Sequence, residues 1–168
     1  MNISLIGFMG TGKSTVGQKL AKKLDYDFVD LDKEIVKEEG REIPDIFASE
    51  GEEYFRDLES KVAAKVGQKN EQVIATGGGV VLRSENIANL KDNGIIILLK
   101  ATPEEIYQRT KDDNNRPLLE VASPRTKIKS MLEEREENYQ CTPYQIDTTE
   151  LSIEGVVEEA LEIIDNLK

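Results

Sequence analysis

The segment Gly7 to Ser14, with the sequence GFMGTGKS, is the feature that most constrains how this chain can fold. It fits the pattern G-x-x-x-x-G-K-[ST] at every fixed position, an apolar run at residues 3–6 leads into it, and a helical pattern at residues 14–24 follows. A glycine-rich turn that matches by chance is the alternative, and the fitting context argues against it. The sequence therefore predicts a phosphate-binding loop between a strand and a helix.

The residue types of this loop suit a nucleoside triphosphate. Glycines let backbone N–H groups wrap a phosphate closely, and the following helix directs the positive end of its dipole toward it. Lys13 would reach the terminal phosphates, and the Ser14 hydroxyl would hold Mg²⁺. The residues expected to contact the nucleotide here are Gly10, Thr11, Gly12, Lys13, Ser14 and Thr15.

The rest of the chain alternates between short apolar runs and helical patterns. This alternation, with glycines at strand ends, predicts an α/β fold: a three-layer α/β/α sandwich around a central parallel sheet of about five strands. We expect one domain over residues 1–168. Further strands are predicted at residues 28–29, 72–75, 95–99 and 144–147, and further helices at residues 33–39, 43–49 and 52–66, from Thr102-Pro103, from Ser123-Pro124 to about 138, and from residue 152 onward.

Composition excludes several classes of protein. The chain of 168 residues has 33 Asp and Glu, 22 Lys and Arg, a net charge of −11 and no histidine, so histidine-based catalysis and histidine-ligated metals are absent. The acidic balance argues against a general nucleic-acid binder. The lone Cys141 fits a reducing compartment, the apolar run at residues 94–99 is too short to span a bilayer, and no signal peptide is visible, so we expect a cytoplasmic protein.

Two carboxylates follow the second predicted strand. Alternation along an extended segment would point Asp30 and Asp32 the same way, at the strand end where α/β sheets bind ligands. One could hold the metal through water while the other receives a substrate hydroxyl. An acidic helix N-terminus is the alternative interpretation, since aspartate is also favoured there.

Glycines and arginines supply further candidates. The run Gly77-Gly78-Gly79 after a strand would let a ligand lie against bare backbone amides, although a tight turn is the alternative. Arg56, Arg116 and Arg135 are candidate anion clamps, and each alone could equally be a surface arginine. Residues 111–117 are polar and turn-rich, which indicates either a mobile loop or a solvated connection.

In combination, these motifs closely resemble the shikimate kinase family. The phosphate loop alone is generic, whereas its combination with the other motifs is specific, and their order and spacing match from Gly7 to about Tyr139. The motifs are the loop with Thr15, Asp30-Leu31-Asp32, Ile46-Phe47, Gly51-Glu52-Glu53-Tyr54-Phe55-Arg56, Thr76-Gly77-Gly78-Gly79, Arg116-Pro117-Leu118-Leu119 and Arg135.

The resemblance implies a P-loop NTPase fold and transfer of the ATP γ-phosphoryl group to the shikimate 3-hydroxyl, on the way to chorismate and aromatic amino acids. It implies a substrate-binding region at about 32–60, a lid at about 111–123, and Mg²⁺ beside ATP. Residues 148–150 lack the basic residue that some members carry near the adenine. The implied roles are shikimate binding by Asp32, Arg56, Arg135, Gly77, Gly78 and Gly79, pocket walls from Phe47 and Phe55, Mg²⁺ binding by Asp30 and Ser14, the adenine side at Arg109, and a lid contact from Arg116.

For the reaction itself, Lys13, Asp32 and Arg116 are the predicted catalytic residues. Two alternatives stay open: another small-metabolite kinase of the gluconate type, and a nucleotide-binding regulatory module without transfer activity. The intact Lys13, Ser14 and Asp32 argue against the module. The expected partner is a small-molecule substrate, with no nucleic acid, no membrane and a monomeric state.

Overall fold

The computed structural model describes residues 1–113, 119 and 121–167 and contains one five-stranded sheet. All its strand pairs are parallel, and the strand order is β2-β3-β1-β4-β5. The predicted α/β fold with a central parallel sheet is therefore confirmed. The strands are β1 (Asn2–Ile6), β2 (Asp27–Asp30), β3 (Gln72–Ala75), β4 (Gly94–Lys100) and β5 (Gln145–Asp147).

Helices cover both faces of this sheet. Residues of α1 and α7 pack on one face, in a buried cluster with Ile3 and Leu5, and residues of α2, α3 and α4 pack on the other, in a cluster with Ile6 and Ile74. The predicted three layers are thus present. The helices are α1 (Lys13–Leu24), α2 (Leu31–Glu39), α3 (Ile43–Gly67), α4 (Ser84–Asp92), α5 (Pro103–Thr110), α6 (Pro124–Tyr139) and α7 (Ile153–Asp165), with a 3-10 helix at Val80–Leu82.

Strand β4 shows why its sequence is continuously apolar. Ile96 and Leu98 belong to one buried cluster, and Ile97 and Leu99 belong to the cluster on the opposite face. Because side chains alternate between faces along a strand, a strand covered on both sides has no polar face. Within the described residues no helix is long and apolar enough to cross a membrane.

The strand order brings the loops of interest to one edge. Strand β1 lies between β3 and β4, and β3 pairs with β2 on its other side. The phosphate loop follows β1, the triple glycine follows β3, and Asp30 ends β2. Since the carboxyl ends of parallel strands share an edge, these three segments lie together at the usual ligand edge of such sheets.

Helix ends agree with the sequence except at α4. Gly40 ends α2 with φ 71°, and the Thr102 hydroxyl oxygen accepts a hydrogen bond from the N–H of Glu105 at 3.3 Å. Helix α4 was not predicted. It begins without a side-chain cap, and its buried apolar residues are only Ile87 and Leu90, so it carries a weak helical signal.

Gly51 divides α3 into two helical segments. Its backbone angles, φ 84° and ψ 176°, interrupt an otherwise continuous helix. Two separate helices were predicted at residues 43–49 and 52–66, and this break is the reason. The conformation lies in a region that residues with a side chain strongly avoid.

We expect Gly51→Ala to lower the free energy of unfolding by about 1–3 kcal/mol, the usual cost of a strained backbone conformation. A Cβ at Gly51 would meet nothing within 4 Å, so backbone strain alone would cause the loss. Urea denaturation measures it.

Gly155→Ala in α7 is the matched control. A Cβ there would meet no atom closer than 3.5 Å, and Gly155 does not have a positive φ. Gly155→Ala should therefore raise the free energy of unfolding by up to about 1 kcal/mol. Equal effects of the two substitutions would contradict the role of strain at Gly51.

Candidate active site

Backbone conformation explains the glycines of the phosphate loop. Gly7, Gly10 and Gly12 have φ values of 144°, 80° and 92°, which favour glycine. A Cβ at Gly7 would also lie 2.2 Å from the carbonyl oxygen of Leu99. The Thr11 hydroxyl donates to the carbonyl of Phe8 at 2.8 Å and so closes the turn. The contact of Thr11 with nucleotide stays a prediction, and in the structure its hydroxyl stabilises the loop from within.

Lys13 is held against the loop from which it projects. Its side chain is almost buried, and its Nζ donates to the carbonyl oxygens of Gly7 at 2.8 Å and Phe8 at 2.9 Å. The ammonium group is thereby fixed beside a cavity of about 290 Å³. Residues from all three loops line this cavity: Met9, Gly10, Gly12, Lys13, Ser14, Thr15, Asp30, Asp32, Thr76, Gly77, Gly78 and Arg109.

The two predicted aspartates line this cavity together, but not by strand alternation. Asp30 ends β2, whereas Asp32 already belongs to α2. One carboxylate oxygen of Asp30 caps α2, accepting from the N–H groups of Asp32 and Lys33, and the other accepts from the Ser14 hydroxyl at 3.0 Å. The expectation of an extended segment was therefore wrong, and Asp30 combines the capping role with a contact to the phosphate loop.

The triple glycine makes room for charged side chains. A Cβ at Gly77 would lie 2.8 Å from Glu59 Oε1 and 3.0 Å from Asp32 Oδ1, and a Cβ at Gly79 would lie 2.4 Å from Arg56 Nη1. None of these glycines has a positive φ. Gly77 and Gly79 are therefore required for the close approach of side chains of this chain, and the approach of a ligand to the run stays a prediction.

Arg56 is paired within the protein. Its guanidinium donates to Glu59 Oε2 at 2.8 Å and to Glu52 Oε1 at 3.2 Å, and its carbon Cζ lies 5.1 Å from the centre of the Phe55 ring. Glu59 is completely buried, and this burial raises the pKa of its carboxyl while the Arg56 guanidinium opposes the rise. Arg56 is therefore not a surface arginine.

Arg135 is buried in different surroundings. Only 5% of it is exposed, its Cζ lies 5.6 Å from the centre of the Phe8 ring, and its Nη1 would be 3.7 Å from a Cβ at Gly78. Arg135 Nη1 and Arg56 Nε are both buried without a hydrogen-bond partner among the described residues. Buried donors left unsatisfied cost free energy, so these two favour an external acceptor such as a carboxylate.

The remaining predicted residues fall in three places. Phe47 and Phe55 pack together, with ring centres 4.8 Å apart, next to Arg56 and away from the cavity lining. Arg109 borders the cavity and donates to Glu105, to the Gly10 carbonyl and to Thr148. Arg116, together with residues 114–118 and 120 of the predicted lid, lies outside the described residues.

The sequence motifs did not include Glu59, and they assigned no function to Tyr139. Glu59 lies at helical spacing among buried apolar residues of α3, between Phe55 and Val62, and a charged residue in that position was an available signal. The Tyr139 hydroxyl donates to the carbonyl of Gly78 at 2.9 Å, a contact that no sequence pattern indicates.

We expect Glu59→Leu to cost about 3–5 kcal/mol of unfolding free energy, because it leaves the buried Arg56 charge without its main partner. Glu52→Leu is the matched control, since this partner is half exposed and should cost about 1 kcal/mol or less. Urea denaturation measures both. The double variant Arg56→Met/Glu59→Leu should recover most of the loss, and an additive further loss would contradict a buried ion pair.

Similarity to known proteins extends over nearly the whole chain. The family model for shikimate kinase matches residues 9–165. A shikimate kinase of Caldanaerobacter subterraneus subsp. tengcongensis is 48% identical over 167 residues, which cover 99% of this chain and 98% of that protein. The structure of shikimate kinase from Acinetobacter baumannii in complex with shikimate matches with a TM-score of 0.95 at 39% identity, covering 99% of this chain and 94% of that one.

The gluconate-type alternative is supported only at the level of fold. A gluconokinase from Sinorhizobium meliloti 1021 matches with a TM-score of 0.61 at 19% identity, covering 99% of this chain and 92% of that one. The family model and the relatives above 30% identity all point instead to one group of enzymes. This chain belongs to the shikimate kinase family.

Proposed function

We propose that this chain transfers the γ-phosphoryl group of ATP to the 3-hydroxyl of shikimate, which yields shikimate 3-phosphate and ADP. The observation that carries the proposal is the pair of buried arginines, each with an unsatisfied donor, packed on the bare backbone of Gly78 and Gly79 beside the phosphate cavity. Shikimate has one carboxylate and several hydroxyls, so it needs a cationic group and hydrogen-bond acceptors in one site.

The two arginines differ in how much of their charge the protein neutralises. Arg56 is ion-paired with Glu52 and Glu59, whereas Arg135 forms no ion pair among the described residues and Glu59 acts on it only at longer range. The carboxylate of shikimate would therefore be attracted mainly by Arg135. Arg56 would contribute a directed hydrogen bond, because its guanidinium is already fixed by Glu59.

Asp32 is the best candidate to receive the reacting hydroxyl. It lines the phosphate cavity and also a neighbouring cavity of about 550 Å³, into which Val36, Ile43 and Pro44 extend. A hydroxyl bonded to Asp32 would thus lie next to the terminal phosphate near Lys13. Phosphoryl transfer passes through a loose transition state, so the hydroxyl loses its proton late and Asp32 need not be a strong base.

Ser14 and Asp30 are proposed to hold Mg²⁺. Their oxygens are 3.0 Å apart, and hard oxygen donors suit this ion. No group of three or more His, Cys, Asp or Glu within the described ranges could hold a metal, and Mg²⁺ on a nucleotide commonly takes only one or two carboxylates. When bound, the ion neutralises charge on the phosphate oxygens, a task that Lys13 shares.

Further parts of the proposal rest on the family resemblance. Arg116 is proposed to act on the phosphates from a lid at about 111–123, Arg109 to contact the adenine side, and residues 32–60 to form the substrate-binding region of one domain. A monomer in the cytoplasm, without nucleic-acid or membrane partners, is proposed from the net charge of −11 and the lone cysteine.

We expect purified protein with Mg-ATP to release ADP at a rate that depends on shikimate. The panel contains shikimate, gluconate, a shikimate analogue without the carboxylate, and no acceptor. A coupled ADP assay and mass spectrometry of the product give the readout. ADP release with gluconate but not with shikimate would show that the acceptor is gluconate instead. Equal release in all four samples would contradict phosphoryl transfer to an acceptor.

We expect Asp32→Asn to lower kcat about 10²- to 10⁴-fold while ATP still binds, because the amide no longer accepts the hydroxyl proton. Glu34→Gln is the matched control, since Glu34 is the other acidic residue in the first turn of α2. It should keep kcat within about twofold, because this partly exposed carboxylate lies outside both cavity linings and pairs with Lys37. Loss of ATP binding together with turnover would indicate that Asp32 supports folding instead.

A further inference from the structure

Tyr139 connects the two sides of the proposed carboxylate site. It is the last residue of α6, one helical turn after Arg135, and it is 93% buried, with a relative exposure of 7%. Its hydroxyl donates to the carbonyl oxygen of Gly78 at 2.9 Å. The helix that carries Arg135 is therefore attached to the glycine against which the Arg135 guanidinium packs.

The same hydroxyl also lies near the Arg135 guanidinium. Burial raises the pKa of Tyr139 to about 12, and the nearby Arg135 guanidinium opposes part of this rise. The phenol thus stays protonated at neutral pH, where it donates to Gly78, and its oxygen is still able to accept from the nearby cation. A neutral oxygen orients a guanidinium without cancelling its charge.

On its other side Arg135 contacts an aromatic ring, and the buried Glu59 acts on it without forming an ion pair. The face of the Phe8 ring lies 5.6 Å from its Cζ, and the structure gives it no ion pair among the described residues. Arg56, by contrast, is held by two carboxylates. Neutral neighbours can orient an arginine without competing with a substrate carboxylate for its charge.

Asn138 offers a natural comparison. Its side-chain amide donates to the carbonyl oxygen of Val81 at 3.2 Å, which also attaches the end of α6 to the segment after the triple glycine. This bond has no contact with Arg135. Docking of the helix and orientation of the arginine are thus served by adjacent residues.

We propose that Tyr139 is a positioning residue of the acceptor site, whose hydroxyl fixes the Gly78 carbonyl and orients Arg135 toward the carboxylate of the substrate. The inference rests on the proposed function, because it concerns the carboxylate of shikimate. It assigns a role in acceptor binding to a residue that does not itself touch the reacting atoms.

Tyr139→Phe removes only the hydroxyl and should raise the KM for shikimate roughly tenfold, the effect of one lost hydrogen bond to a charged group. The kcat and the KM for ATP should stay within about twofold. Asn138→Ala and Tyr144→Phe are the controls, for helix docking and for loss of a tyrosine hydroxyl elsewhere. Both should leave the KM for shikimate within about twofold, and thermal unfolding verifies that each variant is folded.

Two readouts separate positioning from general packing. In an Arg135→Lys background, Tyr139→Phe should add less than about a twofold rise in KM, because the group it orients is gone. For the analogue without a carboxylate, the KM should be the same in the wild type and in Tyr139→Phe. An equal rise for both acceptors, a full additional effect beside Arg135→Lys, or an equal rise in Asn138→Ala would each overturn the inference.

Failure of this inference and failure of the proposed function look different. If the wild-type chain does not phosphorylate shikimate, the proposed function is wrong and the inference falls with it. If the wild-type chain phosphorylates shikimate and Tyr139→Phe leaves its KM unchanged, only the role of Tyr139 is wrong.

Discussion

Close approach of charged groups to a backbone without side chains is the constraint on which the site depends. At Gly77 the backbone meets two carboxylates, and at Gly79 it meets the Arg56 guanidinium 2.4 Å from where a Cβ would be. Buried charges are stable only when their partners are correctly placed. Because the glycines have no side chains, opposite charges can lie within one small volume next to the phosphate loop. The parallel sheet brings these two loops to the same edge.

Features that link residue type directly to backbone geometry could be predicted from the sequence. The glycines of the phosphate loop indicate a backbone with positive φ values, and Gly40 indicates the left-handed residue that ends α2. The buried strands could be predicted because coverage on both faces produces unbroken apolar runs, as in β4. Helix α4 could not, because its burial depends on neighbours that are distant in sequence and its apolar stripe is short.

Partnership between charged residues was beyond the sequence. The spacing from Phe55 and Val62 indicates that Glu59 lies on the inner face of α3, yet nothing in the sequence alone says that this face meets Gly77 and Gly79. The same applies to Asp32, which reaches the cavity from the first turn of a helix and not from a strand. In each case the decisive contact joins segments that are far apart along the chain.

A net charge of −11 is compatible with two anionic substrates because the cations of the site are not all neutralised to the same extent. Screening at physiological salt confines the effect of surface carboxylates to about 8 Å, whereas a buried cation acts at contact. Arg56 is largely neutralised by Glu59 and Glu52, whereas Lys13 donates to two carbonyl oxygens and Arg135 forms no ion pair among the described residues. Lys13 and Arg135 are thus the two cations proposed to meet the phosphates and the acceptor carboxylate. In the proposed function, the distance between these two cations decides which acceptor can bind with its hydroxyl toward the phosphate.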